Sequence, residues 1–230
     1  LPEQKAIATV LSDMDELIES LTKLIEKKKN IKKAAMQDLL TGKKRLLGFS
    51  AEWGKKKIIE LFEITAGGDL RKPEFSLFQT DQHPYPIFSN AISNNGLYGY
   101  CSTFDFNENC LTITARGSIG FALNRNNAFC AIGRLLVLKP LHEYSCKFFA
   151  EYINQNVSFP NESTGVPQLT IPQVSERIVT VPTFIEQNAI AQVLSDMDVE
   201  IEKLEMQKQK TIAVKQAAMQ DLLTGKKRLV

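Results

Sequence analysis

The chain has 230 residues, enough for one large domain or two small ones. Its 43% apolar and 23% charged residues are ordinary for a globular protein, and no apolar run approaches the ~18 residues of a membrane span. A net charge of +2 selects no partner, and Cys101, Cys110, Cys130 and Cys146 show neither CxxC spacing nor a metal-ligand pattern with His83 and His142, so they read as reduced thiols of an intracellular, cytoplasmic protein.

Residues 1–47 read as a long helix. Ile7, Met14, Leu21 and Ala35 fall on a seven-residue spacing, with Val10/Leu11, Leu17/Ile18, Leu24/Ile25, Ile31 and Leu39 between them. Gly42 follows the last periodic leucine, where a helix C-cap belongs, and Lys43, Lys44 and Arg45 suit the negative helix end. The start, Leu1-Pro2-Glu3-Gln4, is not a signal peptide and has no methionine or N-cap. It reads as a helix cut from a longer chain, with a segment once preceding Leu1. The run "KKKNIKK" (Lys27 to Lys33) reads as a solvated helix face, with a grip on DNA as the alternative.

Residues 48–183 change character. Phe, Gly, Pro and Asn cluster, and short apolar runs ("YPIF", "CLTITA", "RLLVLKP", "RIVTVP") alternate with turn signals such as "SNNG" and "NRNN". "YSCKFFAEYIN" has helical spacing. The expectation is an α+β fold: a mixed globular domain flanked by two long helices. This segment carries a net −1, against +3 for residues 1–47 and 0 for residues 184–230. Any nucleic-acid role therefore needs local patches. Candidates are Arg71 and Lys72 in "GGDLRK", Ser89, Asn90, Asn94 and Asn95 in "SNAISNNG", Arg116 and Ser118 in "TARGSIG", and Ser163, Thr164 and Gln168 in "NESTGVPQLT". Each could equally be a polar turn and nothing more.

Residues 184–230 repeat residues 1–47 without a gap, at an offset of 183, with 29 of 47 positions identical. Identity concentrates at the two ends, "VLSDMD" and "AAMQDLLTGKKRL", and the middles diverge. Ile190, Met197, Leu204 and Ala218 continue the heptad pattern, and Gly225 repeats the C-cap. Lys28, Thr211 and Gln207 weaken the seams near their centres. Thr183-x-x-Glu186 after Pro182 forms a capping box. Two such helices are either core helices of one domain or an antiparallel coiled coil. The coiled coil explains the repeat better: the variable middles pair with each other, and the identical ends serve two equivalent surfaces. Ile7, Met14, Leu21, Ile190, Met197 and Leu204 would make the pairing contacts.

Catalytic signatures are missing. "TGKK" lacks the upstream glycine and the following Ser/Thr of a phosphate loop and sits after a helix, and there is no GxGxxG, GxSxG, HExxH or Asp/Asn-Pro-Pro-aromatic motif.

The phrases "VPTFIEQNAIAQVLSDMD", "AAMQDLLTGKKRL", "EWGKKKIIELFEITAGG", "YPIFSN", "LTITARGSIG" and "STGVPQLTI" together resemble the specificity (S) subunits of type I restriction–modification systems. The helix phrases cover about 94 residues and are the more specific part. The resemblance implies a first conserved long helix (residues 1–47), a target-recognition domain (48–183) and a second conserved helix (184–230). It implies binding of double-stranded DNA and assembly with methyltransferase (M) subunits, and through them restriction (R) subunits. Adenine-N6 methylation would belong to M with its S-adenosylmethionine; this chain would hold no cofactor and be no enzyme. One recognition domain implies one half-site, and two copies could pair their free helix ends as a homodimer. Readings from other classes are a non-DNA coiled-coil scaffold for protein partners and an enzyme with an unrecognised site.

Overall fold

The computed structural model describes residues 2–159 and 168–228. The chain runs α1 (Pro2–Leu39), β1 (Gly54–Lys57), β2 (Phe62–Ala66), β3 (Phe75–Ser76), β4 (Tyr85–Phe88), β5 (Leu97–Cys101), β6 (Cys110–Ile113), β7 (Ala122–Arg125), β8 (Cys130–Ala131), β9 (Leu136–Pro140), α2 (Cys146–Asn156), α3 (Ile171–Ser175), β10 (Ile178–Val181) and α4 (Phe184–Leu223). It forms two compact units: Leu1–Ala35 with Val193–Val230, and Met36–Gln192.

The first unit pairs α1 with α4. From Leu11 to Ala35 the covered positions of α1 are Leu11, Met14, Ile18, Leu21, Ile25, Lys28, Lys32 and Ala35, an alternation of threes and fours. On α4 they include Met197, Ile201, Leu204, Lys208, Thr211, Lys215 and Ala218. Ile190 is also buried but lies in the other unit. Leu17, Leu24, Ile31 and Val214, expected to fill the seam, are exposed instead. A heptad stripe admits only two positions per seven residues, so in the pairs Leu17/Ile18 and Leu24/Ile25 one member faces outward. Gln207 is likewise exposed, and Lys208 takes the polar seam position.

Ion pairs fix the helix direction. Lys32 meets Asp198, Lys28 meets Glu200 and Lys29 meets Glu205, each at 2.6 Å, while Lys215 meets Asp15 and Arg228 meets Glu3 at 2.9 Å. Low numbers on α1 pair with high numbers on α4, so the helices are antiparallel. Three lysines of "KKKNIKK" thus bind across the helix pair and are not simply a solvated face. Lys32–Asp198 and Lys215–Asp15 are the same pair shifted by 183 with the helices exchanged, as a pseudo-twofold repeat requires. Exposed pairs of this kind add little stability; they specify register.

The second unit carries two four-stranded sheets, ordered β2-β9-β6-β7 and β3-β5-β4-β8, and a two-stranded ribbon β1-β10. All pairings are antiparallel except β4 with β8. The expected strands in "YPIF", "CLTITA", "RLLVLKP" and "RIVTVP" and the helix in "YSCKFFAEYIN" all form. Ser145 caps α2 by accepting the Phe148 N–H, and α2 buries Phe148, Phe149 and Ile153, with Phe149 edge-on to Phe62 at 5.2 Å. The four cysteines are free and buried. Burial raises the thiols of Cys101, Cys110 and Cys130 and pushes that of Cys146 up to about 12. Iodoacetamide at neutral pH should therefore leave the native chain unmodified and label all four thiols in denaturant, which mass spectrometry reads directly.

The two "LLTGKKR" phrases fold alike. Gly42 and Gly225 have φ of 71° and 73°, and the Lys44 and Lys227 N–H groups reach back to the Asp38 and Asp221 carbonyls at 3.1 and 3.0 Å. Hydrogen bonds from Lys44 and Lys227 hold the Asp38 and Asp221 carboxyls below the usual carboxylate range. In the second unit the phrase also meets Trp53. The indole N–H donates to Glu186 Oε2 (3.1 Å), and Arg45 grips the same carboxylate at 2.5 and 2.6 Å. Glu186 was expected to close a capping box on Thr183. Thr183 Oγ1 does accept the Glu186 N–H at 3.4 Å, but the carboxylate turns to Arg45 and Trp53, whose charged and N–H donors outcompete a backbone amide.

Candidate nucleic-acid interface

Four loops of the second unit are fastened together around one side chain. Asn90 donates from Nδ2 to the Gly133 carbonyl and accepts the Ala115 N–H at Oδ1, both at 2.7 Å. The residues that follow, Arg134 and Arg116, are therefore carried by backbone atoms no more than about 8 Å apart, two hydrogen bonds across one carboxamide. Segment 168–169 joins through Leu169 N–H to the Ala115 carbonyl (2.8 Å) and through Arg116 Nη2 to Gln168 Oε1 (3.3 Å). The Gly67-Gly68 pair joins through Gly68 N–H to the Ala131 carbonyl (3.0 Å) and Gly133 N–H to the Gly68 carbonyl (2.9 Å). Gly67 is obligatory: a Cβ there would lie 2.7 Å from the Ala131 backbone.

The loop between β4 and β5 closes with Asn94 and Asn95 both left-handed, φ 48° and 52°, a conformation Asn tolerates better than most residues. Both are exposed, and neither carboxamide has a partner among the described residues. They line an open cavity of about 600 Å³ with Gln79, Tyr100, Arg125 and Asn127. Arg125 is only 6% exposed, its guanidinium 3.6 Å from the Phe88 ring centroid and its Nε donating to Thr112 Oγ1 at 3.0 Å. Burial lowers its pKa to about 10.

The sequence candidates divide. Arg116, Ser118, Gln168, Asn94, Asn95 and Lys72 are exposed. In Arg71, Ser89 and Asn90 the polar atoms also bond within the domain. Arg71 binds Asp105 (2.9 Å), Thr103 and Cys130 (both 3.2 Å). Ser89 Oγ binds the Gly96 carbonyl at 3.3 Å. Asn90 is the fastener itself. Ser163 and Thr164 lie outside the described residues. Arg134, exposed and left-handed, was not among the candidates. Its only signal is the Gly-Arg step before an apolar run.

Long paired helices joined to an α+β domain whose loops carry exposed arginine and amide groups define the class by its fold. A family model, the type I restriction modification DNA specificity domain, matches residues 50–214. The chain belongs to this family. It is 30% identical over 199 residues to the type I specificity subunit S.MpnORF507P of Mycoplasma pneumoniae, covering 86% of this chain and 53% of that protein. It is 28% identical to the MjaX specificity subunit of Methanocaldococcus jannaschii, covering 100% of this chain and 58% of that protein. The fold resembles the crystal structure of a type I S subunit from M. genitalium, with TM-score 0.70, 18% identity, and 96% of this chain and 60% of that chain covered. The chain thus spans between 53% and 60% of the length of these relatives.

Proposed function

We propose that this chain recognises a DNA sequence for a type I restriction–modification complex and performs no chemistry itself. The observation that carries this reading is the set of loops fastened at Asn90, which display Arg116, Asn94, Asn95 and Gln168 from one rigid support. Arginine and asparagine are the side chains that pair bidentately with guanine and adenine edges in the major groove. In a domain of net charge −1, such a local cluster is what a sequence reader needs. Arg116→Ala should weaken binding to the target duplex by about 1–3 kcal/mol if Arg116 contacts a base. Fluorescence anisotropy across several duplexes and salt concentrations measures this. A loss that is uniform across sequences assigns Arg116 to a phosphate, and no loss returns its loop to a structural role.

The proposed protein partners are methyltransferase subunits, with adenine-N6 methylation and S-adenosylmethionine on their side, and restriction subunits through them. Leu17, Leu24 and Ile31 support this. They form a seven-residue-spaced, exposed apolar stripe on α1 that flanks the seam with α4, and such a stripe suits contact with another protein. Such a complex would work in the cytoplasm, beside the chromosome. One recognition domain reads one half-site, so the chain is also proposed to pair with a second copy on a symmetric split target. Light scattering of the purified chain should give twice its 25.8 kDa mass. A monomer with full affinity for an asymmetric split site would contradict the pairing.

A further inference from the structure

Arg134 stands out from the other arginines. Arg45, Arg71 and Arg228 each hold a carboxylate, whereas Arg134 has no hydrogen bond or ion pair from its guanidinium among the described residues. Its backbone is also unusual. Gly133 and Arg134 have φ of 65° and 68°, and Leu135 N–H closes on the Ile132 carbonyl at 3.2 Å, which makes a type I′ turn between β8 and β9. Glycine or asparagine belongs at such positions, and an arginine there is held against its preference. The holding groups are plain: Arg134 N–H donates to the Gly67 carbonyl at 3.2 Å, Gly133 N–H donates to Gly68, and Asn90 clamps the Gly133 carbonyl. A long, exposed side chain with no partner among the described residues thus starts from backbone fixed on three sides, so the turn itself has little freedom to lose on contact.

We propose that Arg134 is a specificity-determining residue that reads a guanine edge, O6 and N7, beside the contact made by Arg116. The assignment rests on the DNA-recognition function proposed above and names a residue within it. The shared Asn90 clamp holds the backbone that precedes each of the two arginines to one carboxamide. A phosphate contact would need only charge, and the many unstrained lysines of the chain could supply that. An over-determined turn at Arg134 is explained by a demand on direction, and bidentate base pairing imposes one.

The test uses Arg134→Gly. Glycine is favoured at this φ, so the variant should fold at least as stably as the parent while losing the guanidinium. The full chain, bound to its methyltransferase subunit, is incubated with a pool of random-sequence duplexes, and the bound fraction is sequenced. The parent should enrich one motif. Arg134→Gly should lose the preference for a guanine in that motif and bind the parent's motif roughly ten- to a hundred-fold more weakly, with binding to unselected duplex unchanged. Arg134→Lys, which keeps the charge and two donors but loses the planar fork, should retain part of the guanine preference that Arg134→Gly loses. Enrichment of the same motif with the same affinity by Arg134→Gly would overturn the proposal. So would a loss that is uniform across sequences with a shallower salt dependence, since that is a phosphate contact. If the parent itself enriches nothing and binds no duplex, the function proposed above fails, a result distinct from failure of Arg134 alone.

Discussion

Leu21→Lys is expected to destabilise the helix pair severely. Leu21 is 5% exposed at the centre of the seam. Truncating a buried leucine costs about 2–5 kcal/mol. A lysine restores some stem contacts but must carry its ammonium into the seam or bend it outward at a packing cost. The seam nearby already holds lysine side chains at Lys28 and Lys32, each matched to a carboxylate on α4. Among the described residues no ion pair reaches position 21, so the new charge would be unpaired. The control is Leu24→Lys. Leu24 is 38% exposed, and its replacement should change stability by no more than about 0.5 kcal/mol. Urea melts followed by far-UV circular dichroism compare the two. Equal melting of Leu21→Lys and the parent would remove Leu21 from the seam.

The same pair of leucines shows how far the sequence could be read. A heptad pattern announces a helix pair, and the repeat announces its antiparallel, exchanged symmetry. Periodicity alone did not separate Leu17 from Ile18 or Leu24 from Ile25, because neighbours 100° apart on a helix both satisfy a loose apolar stripe. The strands with strong apolar runs were legible. β1, written Gly54-Lys-Lys-Lys57 and wholly exposed, was not, since its strand character comes from pairing with β10 and not from its own side chains. In the candidate interface, residue type proposed Arg116, Asn94, Asn95 and Gln168, which the structure places on exposed loops. It could not show that Asn90 and Arg71 spend their donors inside the domain, because carboxamides and guanidinia serve turns and ligands equally well. Arg134 was hidden for the opposite reason. Its distinction is a backbone angle imposed by Gly67, Gly68 and Asn90, all distant in the chain.

Glu186→Ala should unsettle the second unit, while the equivalent change in the other copy of the repeat, Glu3→Ala, should barely register. Glu186 is buried, with a side chain 1% exposed, and accepts three hydrogen bonds: two from the planar fork of Arg45 and one from the Trp53 indole. Arg45 in turn lies over the Trp53 ring at 5.4 Å and donates to the Ala51 carbonyl at 2.9 Å. Alanine leaves the indole N–H without its acceptor, which costs about 1–3 kcal/mol on its own. It also strips Arg45 of its counter-charge, so the total loss should exceed that range. Glu186→Gln separates the two contributions, because it can still accept from the indole but no longer neutralises the guanidinium. Glu3 pairs with Arg228 through the same repeat positions, yet its side chain is 32% exposed. Among the described residues no aromatic ring lies over Arg228, and Gly225 has no neighbour within 4 Å of the Cβ position, where Gly42 has Trp53 at 3.5 Å. Solvent there replaces whatever the pair provides. Trp53 is the only tryptophan of the chain, so its emission reports this junction without labelling. Glu186→Ala should shift that emission to the red and lower the urea midpoint, Glu186→Gln should fall between it and the parent, and Glu3→Ala should leave both readings where they were. Equal effects of Glu3→Ala and Glu186→Ala would show that the ion pair alone matters, and that Trp53 is a bystander.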